Sequence, residues 1–251
     1  MHHFSHKFCS INNVIVLDED KLVPGLTFGE IKKMIENHLN PPYNIGWYFQ
    51  QFMKLGFALT PYPKENYLVW DADTIPVNFI RFKDESSLFF TKTSEYHKPY
   101  FDTIYHILGL EKTNDYSFIA EHMIFNVPIV KSMISDIERF NVLGEVWYEK
   151  IINAVDKDQP NGFSEFETYG TYVLNYYPLI YKIQSLKTYR HAGLVYHRLI
   201  TFKKINILSN LGYHTLSFEE HDSPSFPKSI IWLCLRVYTR LLNKIYKLLF
   251  V

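Results

Sequence analysis

The chain has 251 residues, 47% of them hydrophobic and 21% charged, with 26 basic residues balancing 26 acidic ones. An apolar fraction of that size excludes an intrinsically disordered chain, and 10 Gly with 12 Pro exclude a collagen-like or linker-like one. The zero formal charge argues against a protein that binds nucleic acid through a basic excess, so no nucleic-acid partner is expected.

Val14-Ile15-Val16-Leu17 is a short apolar run stopping at Asp18-Glu19-Asp20, which predicts a buried strand ending in a loop. Thr27 to Asn40 predicts a helix: Thr27-Phe28-Gly29-Glu30 fits a capping box, Ile31, Met34, Ile35, His38 and Leu39 share one face, and Pro41-Pro42 end it. A second helix is expected over Trp47 to Phe57. Tyr67-Leu68-Val69-Trp70 reads as a strand terminating in Asp71-Ala72-Asp73, and Leu88-Phe89-Phe90-Thr91 as another. Helices follow over Pro128 to Phe140 and Val146 to Val155, then a polar loop from Asp156 to Gly162 and a helix opening at Ser164. Alternating strands and helices predict an α/β fold with a largely parallel sheet covered on both faces. In such sheets ligands bind at the carboxyl ends of strands, where Asp71 and Asp73 lie.

Cys9 and Cys234 are the two cysteines, too far apart in sequence to suggest a zinc site or a disulfide framework. The first residues carry no apolar stretch of a secretory signal, so a reducing cytoplasmic location is expected. The C-terminal stretch differs in kind. Lys228, Arg236, Arg240, Lys244 and Lys247 are its basic residues and it holds no acidic one, which leaves 21 basic against 26 acidic residues in positions 1–227. The last four recur at helical spacing, flanked by Trp232, Leu235, Leu242, Ile245 and Leu249. Residues 226–251 therefore predict a basic amphipathic helix, with 229–251 resting on an anionic membrane surface at its inner face, beside one domain over 1–225. Its uncharged run is far shorter than the roughly 20 residues of a membrane span.

Asp71 and Asp73 stand two apart at a strand end, a spacing that lets both carboxylates face one hard cation, Mn²⁺ or Mg²⁺, able to neutralise a departing diphosphate. The same segment resembles the nucleophile motif of haloacid-dehalogenase-type phosphatases, which would make Asp71 the nucleophile, Asp73 the acid/base and Thr91 a phosphate contact. No downstream Asp-Asp or Gly-Asp-x-x-x-Asp supplies that superfamily's second acidic pair. Ser164-x-x-Glu167 is itself a capping box. Glu165 and Glu167 stand about 200° apart around a helix, so one of them is expected to face a site.

Gly46-Trp47-Tyr48-x-Gln50-Gln51-x-x-Lys54-Leu55, the strand ending in Asp71-Ala72-Asp73, Glu95-Tyr96-His97-x-Pro99-Tyr100-Phe101, Ser117-Phe118-Ile119-Ala120-Glu121 and Phe163-Ser164-Glu165-Phe166-Glu167-x-Tyr169-Gly170 follow one another in order. Together they resemble the DUF6492 family, a bacterial group similar to GT-A glycosyltransferases, over roughly residues 14 to 220. The resemblance implies a GT-A-like fold and a nucleotide-sugar-dependent transferase acting on a surface-glycan acceptor. It implies Asp71 and Asp73 as the metal-binding pair and Trp47, Gln50, Gln51 and Lys54 near the donor. Glu121, His122 and Tyr169 would lie toward the acceptor, with Glu165 or Glu167 as candidate catalytic base. Family members carry a strand and loop for the nucleotide base upstream of the region matching Val14 to Leu17, whereas 13 residues precede Val14 here. That difference predicts either an incomplete reading frame or an inactive remnant that binds a partner.

Overall fold

A computed structural model of the chain describes residues 12–190, 192–193, 200–218, 234 and 237–238. In chain order its elements are α1 (Glu19–Leu22), α2 (Phe28–His38), α3 (Ile45–Gly56) continued by a 3₁₀ turn (Phe57–Leu59), β1 (Asn66–Trp70), β2 (Thr74–Pro76), β3 (Leu88–Thr91), α4 (Lys98–Leu108), β4 (His122–Asn126), α5 (Val127–Arg139), α6 (Trp147–Ala154), α7 (Glu165–Tyr176), β5 (Tyr181–Gln184), β6 (Thr188–Tyr189), α8 (Phe202–Asn210) and β7 (Thr215–Ser217). The fold is mixed α/β. Two compact units share these elements: Met1–Val69 with Glu85–Ile183, and Trp70–Asp84 with Gln184–Val251.

Helix starts in the first unit follow side-chain capping. The Thr27 hydroxyl accepts from Glu30 N at 3.2 Å, Asn44 Oδ1 from Trp47 N at 3.1 Å, and Asn126 Oδ1 from Ile129 N at 3.3 Å. Glycine ends α4: Gly109 takes φ +66°, and its N–H reaches Tyr105 O at 2.8 Å. The apolar faces then bury as their spacing requires. Ile31 and Ile35 of α2, and Ile129, Met133, Ile134 and Ile137 of α5, lie in the core, each removing about 2 kcal/mol of apolar surface from water. Aromatic rings fill the space between helices. Phe52 packs edge-on to Trp147 at 5.6 Å, and Phe90 stacks on Tyr181 at 3.9 Å and meets Phe118 at 4.9 Å. Much of the high aromatic content is thus core.

In the first unit β1 pairs with β4 and β3 with β5. Val127 N donates to Glu65 O at 2.8 Å, which sets the start of β1 beside the end of β4. In the second unit β7 lies between β2 and β6. It is antiparallel to β2, with Thr74 opposite Ser217, and parallel to β6, with Thr188 opposite Thr215. Ala192, Leu208 and Leu216 form its core, covered by Val77, Tyr189, Ile200, Tyr213 and Phe218.

Two expectations are corrected among the described residues. The strands form three small sheets rather than one largely parallel sheet. Val14 to Leu17 carries no strand, and Val14, Ile15 and Val16 are exposed before the Asp18-capped start of α1. An apolar run becomes a strand only where a neighbour accepts and donates its backbone hydrogen bonds, and no described strand does so here. No described helix is long and apolar enough to cross a membrane. The basic stretch 229–251 lies outside the described residues apart from Cys234, Val237 and Tyr238, which are exposed.

Candidate active site

Four of the five sequence motifs meet in the first unit, at the start of α7. Ser164 caps that helix, its hydroxyl accepting from Glu167 N at 3.2 Å. The reciprocal half of the capping box is replaced. The Glu167 carboxylate turns to the segment before β4 instead, where it accepts from the Ser117 hydroxyl in a short hydrogen bond and from Phe118 N at 3.1 Å. Lys112 Nζ stands 4.0 Å from its other oxygen. Glu165 takes a different direction, as the helical angle between the two predicts. Its carboxylate pairs with Lys54 Nζ at 2.8 Å, and its backbone N–H donates to Gln51 Oε1 at 3.0 Å.

The two amides of α3 are divided by the helix surface. Gln51 points into the unit and is buried, while Gln50 is exposed. Lys54 follows Gln51 by three positions and so lies on the same side, its ammonium 4.6 Å from the Phe166 ring centroid. Trp47, one turn earlier, stacks on Tyr100 of α4 at 6.1 Å with 21° between the planes. The neighbouring Tyr48 hydroxyl accepts from Gly162 N at 3.0 Å, and His97 Nε2 lies 3.1 Å from Asn161 O. Both contacts pin the loop that leads into α7.

Burial governs the charges here. Glu167 is 0% exposed and Glu165 4% exposed. Desolvation raises the Glu167 carboxyl above the ordinary range, against the opposing pull of Ser117, Lys112 and Phe118 N–H. The same cause lowers Lys112, whose ammonium also bonds Tyr116 O and lies 4.8 Å from the Phe101 ring. His122, on β4, is buried, and its Nε2 lies 3.0 Å from Thr91 Oγ1 at the end of β3. Burial brings it down to about 4, so its imidazole is neutral near pH 7. Glu121 is buried beside it in sequence. Tyr169 is enclosed in the core: its hydroxyl accepts from Asn126 N at 2.9 Å and meets the Tyr181 hydroxyl at 2.8 Å.

Asp71 and Asp73 belong to the second unit and are described within it. Thr74 N donates to Asp71 O at 3.0 Å, closing a turn that the Trp70 indole supports through Thr74 O at 2.8 Å. Asp71 is half-buried and Asp73 exposed. Because the backbone turns at Asp71, strand alternation does not set the two carboxylate directions; the turn does. Phe218 N donates to Asp73 O at 2.9 Å, fixing the turn to the end of β7. Among the described residues no third His, Cys, Asp or Glu joins the pair in a metal-binding group. This oxygen-only set suits a hard cation that takes its remaining ligands from phosphates and water.

Lys112 was hidden in the sequence. It stands in the aperiodic stretch between Gly109 and Ser117, half-buried and bonded locally to Asn114 and Tyr116, and its approach to Glu167, 55 positions away, has no signal in the sequence. Comparison of the chain with protein-family models and with curated proteins finds no match.

Proposed function

We propose that the chain is a metal-dependent GT-A-type glycosyltransferase that moves a sugar from a nucleotide-sugar donor to a surface-glycan acceptor at the inner membrane face. One observation carries the reading. The segments 46–55, 95–101, 117–121 and 163–170, scattered in sequence, interlock through side chains around the start of α7, while the fifth motif begins on β1. Scattered polar and aromatic residues drawn together on rigid elements are the ordinary construction of a catalytic site.

In this reading Asp71 and Asp73 hold Mn²⁺ or Mg²⁺, which when bound neutralises charge on the departing diphosphate. Trp47, Gln50, Gln51 and Lys54 serve the donor, with the Trp47–Tyr100 stack offering an aromatic surface. Glu121 and neutral His122 serve the acceptor side, while Tyr169, expected there from the resemblance, is enclosed in the core and holds the end of β4 through Asn126 N. Glu165, whose partner Lys54 lies on the donor helix, is favoured over the fully enclosed Glu167 as base.

The burial of both glutamates supports a second reading, in which the cluster is a structural hub and the chain binds without turnover. Calorimetric titration of the full chain with a panel of nucleoside-diphosphate sugars, with and without Mn²⁺, tests the first. Saturable, Mn²⁺-dependent heat with one donor class is expected, and no heat with any donor would overturn it. Binding without transfer of a labelled sugar would favour the second.

A further inference from the structure

The second unit carries exposed apolar side chains of a particular setting. Phe79 is 81% exposed, Phe202 86% and Leu211 58%. Such residues acquire meaning when they are held together and rimmed by one kind of charge.

The segments that carry Phe79 and Leu211 are tied to each other by hydrogen bonds. Asn78, the residue before Phe79, donates through its side-chain amide to Ser209 O at 2.9 Å and to Tyr213 O at 2.7 Å, and its Oδ1 accepts from the Ser209 hydroxyl at 2.9 Å. Those partners flank Leu211 on both sides. Val77 N donates to His214 O at 2.9 Å, so the 77–79 segment is fastened to the turn after α8. Phe202 opens that same helix. Asn206 and Asn210, at i+4 and i+8 from Phe202, are exposed with it, while Leu208 faces the core. One solvent-facing stripe of α8 thus runs from Phe202 to the Leu211 turn.

The charge at this edge is basic. Lys187 Nζ donates to Leu211 O at 3.0 Å, Arg81 and Lys83 follow Phe79, and Lys203 adjoins Phe202; all four are exposed. An edge from which Phe79, Phe202 and Leu211 project near exposed Lys and Arg matches the two demands of a bilayer interface, apolar insertion and anionic headgroups.

We propose that the α8 face and the Phe79 segment form a membrane-docking surface of the folded second unit, with Phe79, Phe202 and Leu211 entering an anionic bilayer and Arg81, Lys83, Lys187 and Lys203 meeting its headgroups. This surface is separate from the basic stretch 229–251 and does not depend on the transferase reading.

Cosedimentation of the full chain with vesicles of phosphatidylcholine containing phosphatidylserine, and with phosphatidylcholine alone, tests it. The wild type is expected to bind the anionic vesicles, and the F79S/F202S/L211S variant, with 229–251 intact, to lose at least tenfold in partitioning. R81E/K83E/K203E is expected to weaken anionic binding and flatten its salt dependence. Far-ultraviolet circular dichroism and thermal unfolding of each variant establish folding; should the triple apolar variant unfold, F79S alone is expected to lose about threefold. Unchanged partitioning of the folded apolar variants would overturn the proposal. So would equal affinity for neutral vesicles, or charge-dependent binding to duplex DNA or RNA in place of vesicles. Nucleotide-sugar titration run in parallel reports separately on the transferase reading.

Discussion

His122 makes the fold sensitive to acid in a calculable way. The imidazole is buried against Thr91, and burial depresses its titration to about 4, below the 6.5 of an exposed histidine. Because the folded value lies below the unfolded one, its contribution is fully present above about pH 6.5 and is lost as pH falls toward 4, where the unfolded chain binds a proton that the folded chain refuses. The full loss corresponds to about 3 kcal/mol, of which about 2 kcal/mol is gone by pH 5. His122→Gln retains a hydrogen-bonding partner for Thr91 without a titrating ring. Urea unfolding of both proteins at pH 7 and pH 5 measures the difference. The variant is expected to lose about 2 kcal/mol less than the wild type over that interval. Equal losses would refute the reasoning, as would a His122 resonance, identified by its absence from the His122→Gln variant, titrating at the exposed value.

Further perturbations address the α7 cluster and its packing. Lys54→Ala removes the ammonium that pairs with the buried Glu165 carboxylate and is expected to cost about 3 kcal/mol in urea unfolding, with a smaller cost for the Lys54/Glu165 double replacement by Met and Gln; a cost below about 0.5 kcal/mol would show the pair to be dispensable. Glu167 has a folded titration raised by burial, so its protonated form favours the native state and stability falls as pH rises from about 4.5 through the raised value. Glu167→Gln should remove that decline, which unfolding midpoints across pH 4 to 8, compared between variant and wild type, would reveal. Gly170→Ala places a methyl 2.2 Å from a ring carbon of buried Phe118, so despite alanine's better helix propensity it should destabilise by about 1–3 kcal/mol; a rise in Tm would contradict the packing.

Where local chemistry decides the structure, the sequence was legible. Thr27 and Ser164 announce helices that begin beside them, and the 3–4 spacing of Ile31 with Ile35, or Ile129 with Met133, names the buried face. β1 and β3 stand out as dense apolar runs. What escapes is non-local. The second unit pairs Thr74 with Ser217 across 143 positions in strands of three residues, too short for a period to show. Val14 to Leu17 has the composition of a strand, yet composition does not supply a neighbour.

The candidate site divides the same way. Its residue types were legible as ordered motifs, and the opposite directions of Glu165 and Glu167 follow from helix geometry alone. Partner choice was not. Whether Glu167 completes its own capping box or reaches Ser117 depends on a segment 50 positions earlier that arrives with a hydroxyl and an N–H. The desolvation that raises Glu167 and lowers His122 likewise belongs to the assembled core.

The proposed binding of a nucleotide-sugar through a cation on Asp71 and Asp73 stands or falls on calorimetry of the Asp73→Asn variant with the donor that the wild type binds in Mn²⁺. Asp73 is exposed on its turn, so the substitution leaves the fold intact. Loss of the Mn²⁺-dependent part of the binding, at least tenfold in Kd, is the result predicted. Unchanged Mn²⁺-dependent binding would contradict the assignment of that pair and the glycosyltransferase reading built on it.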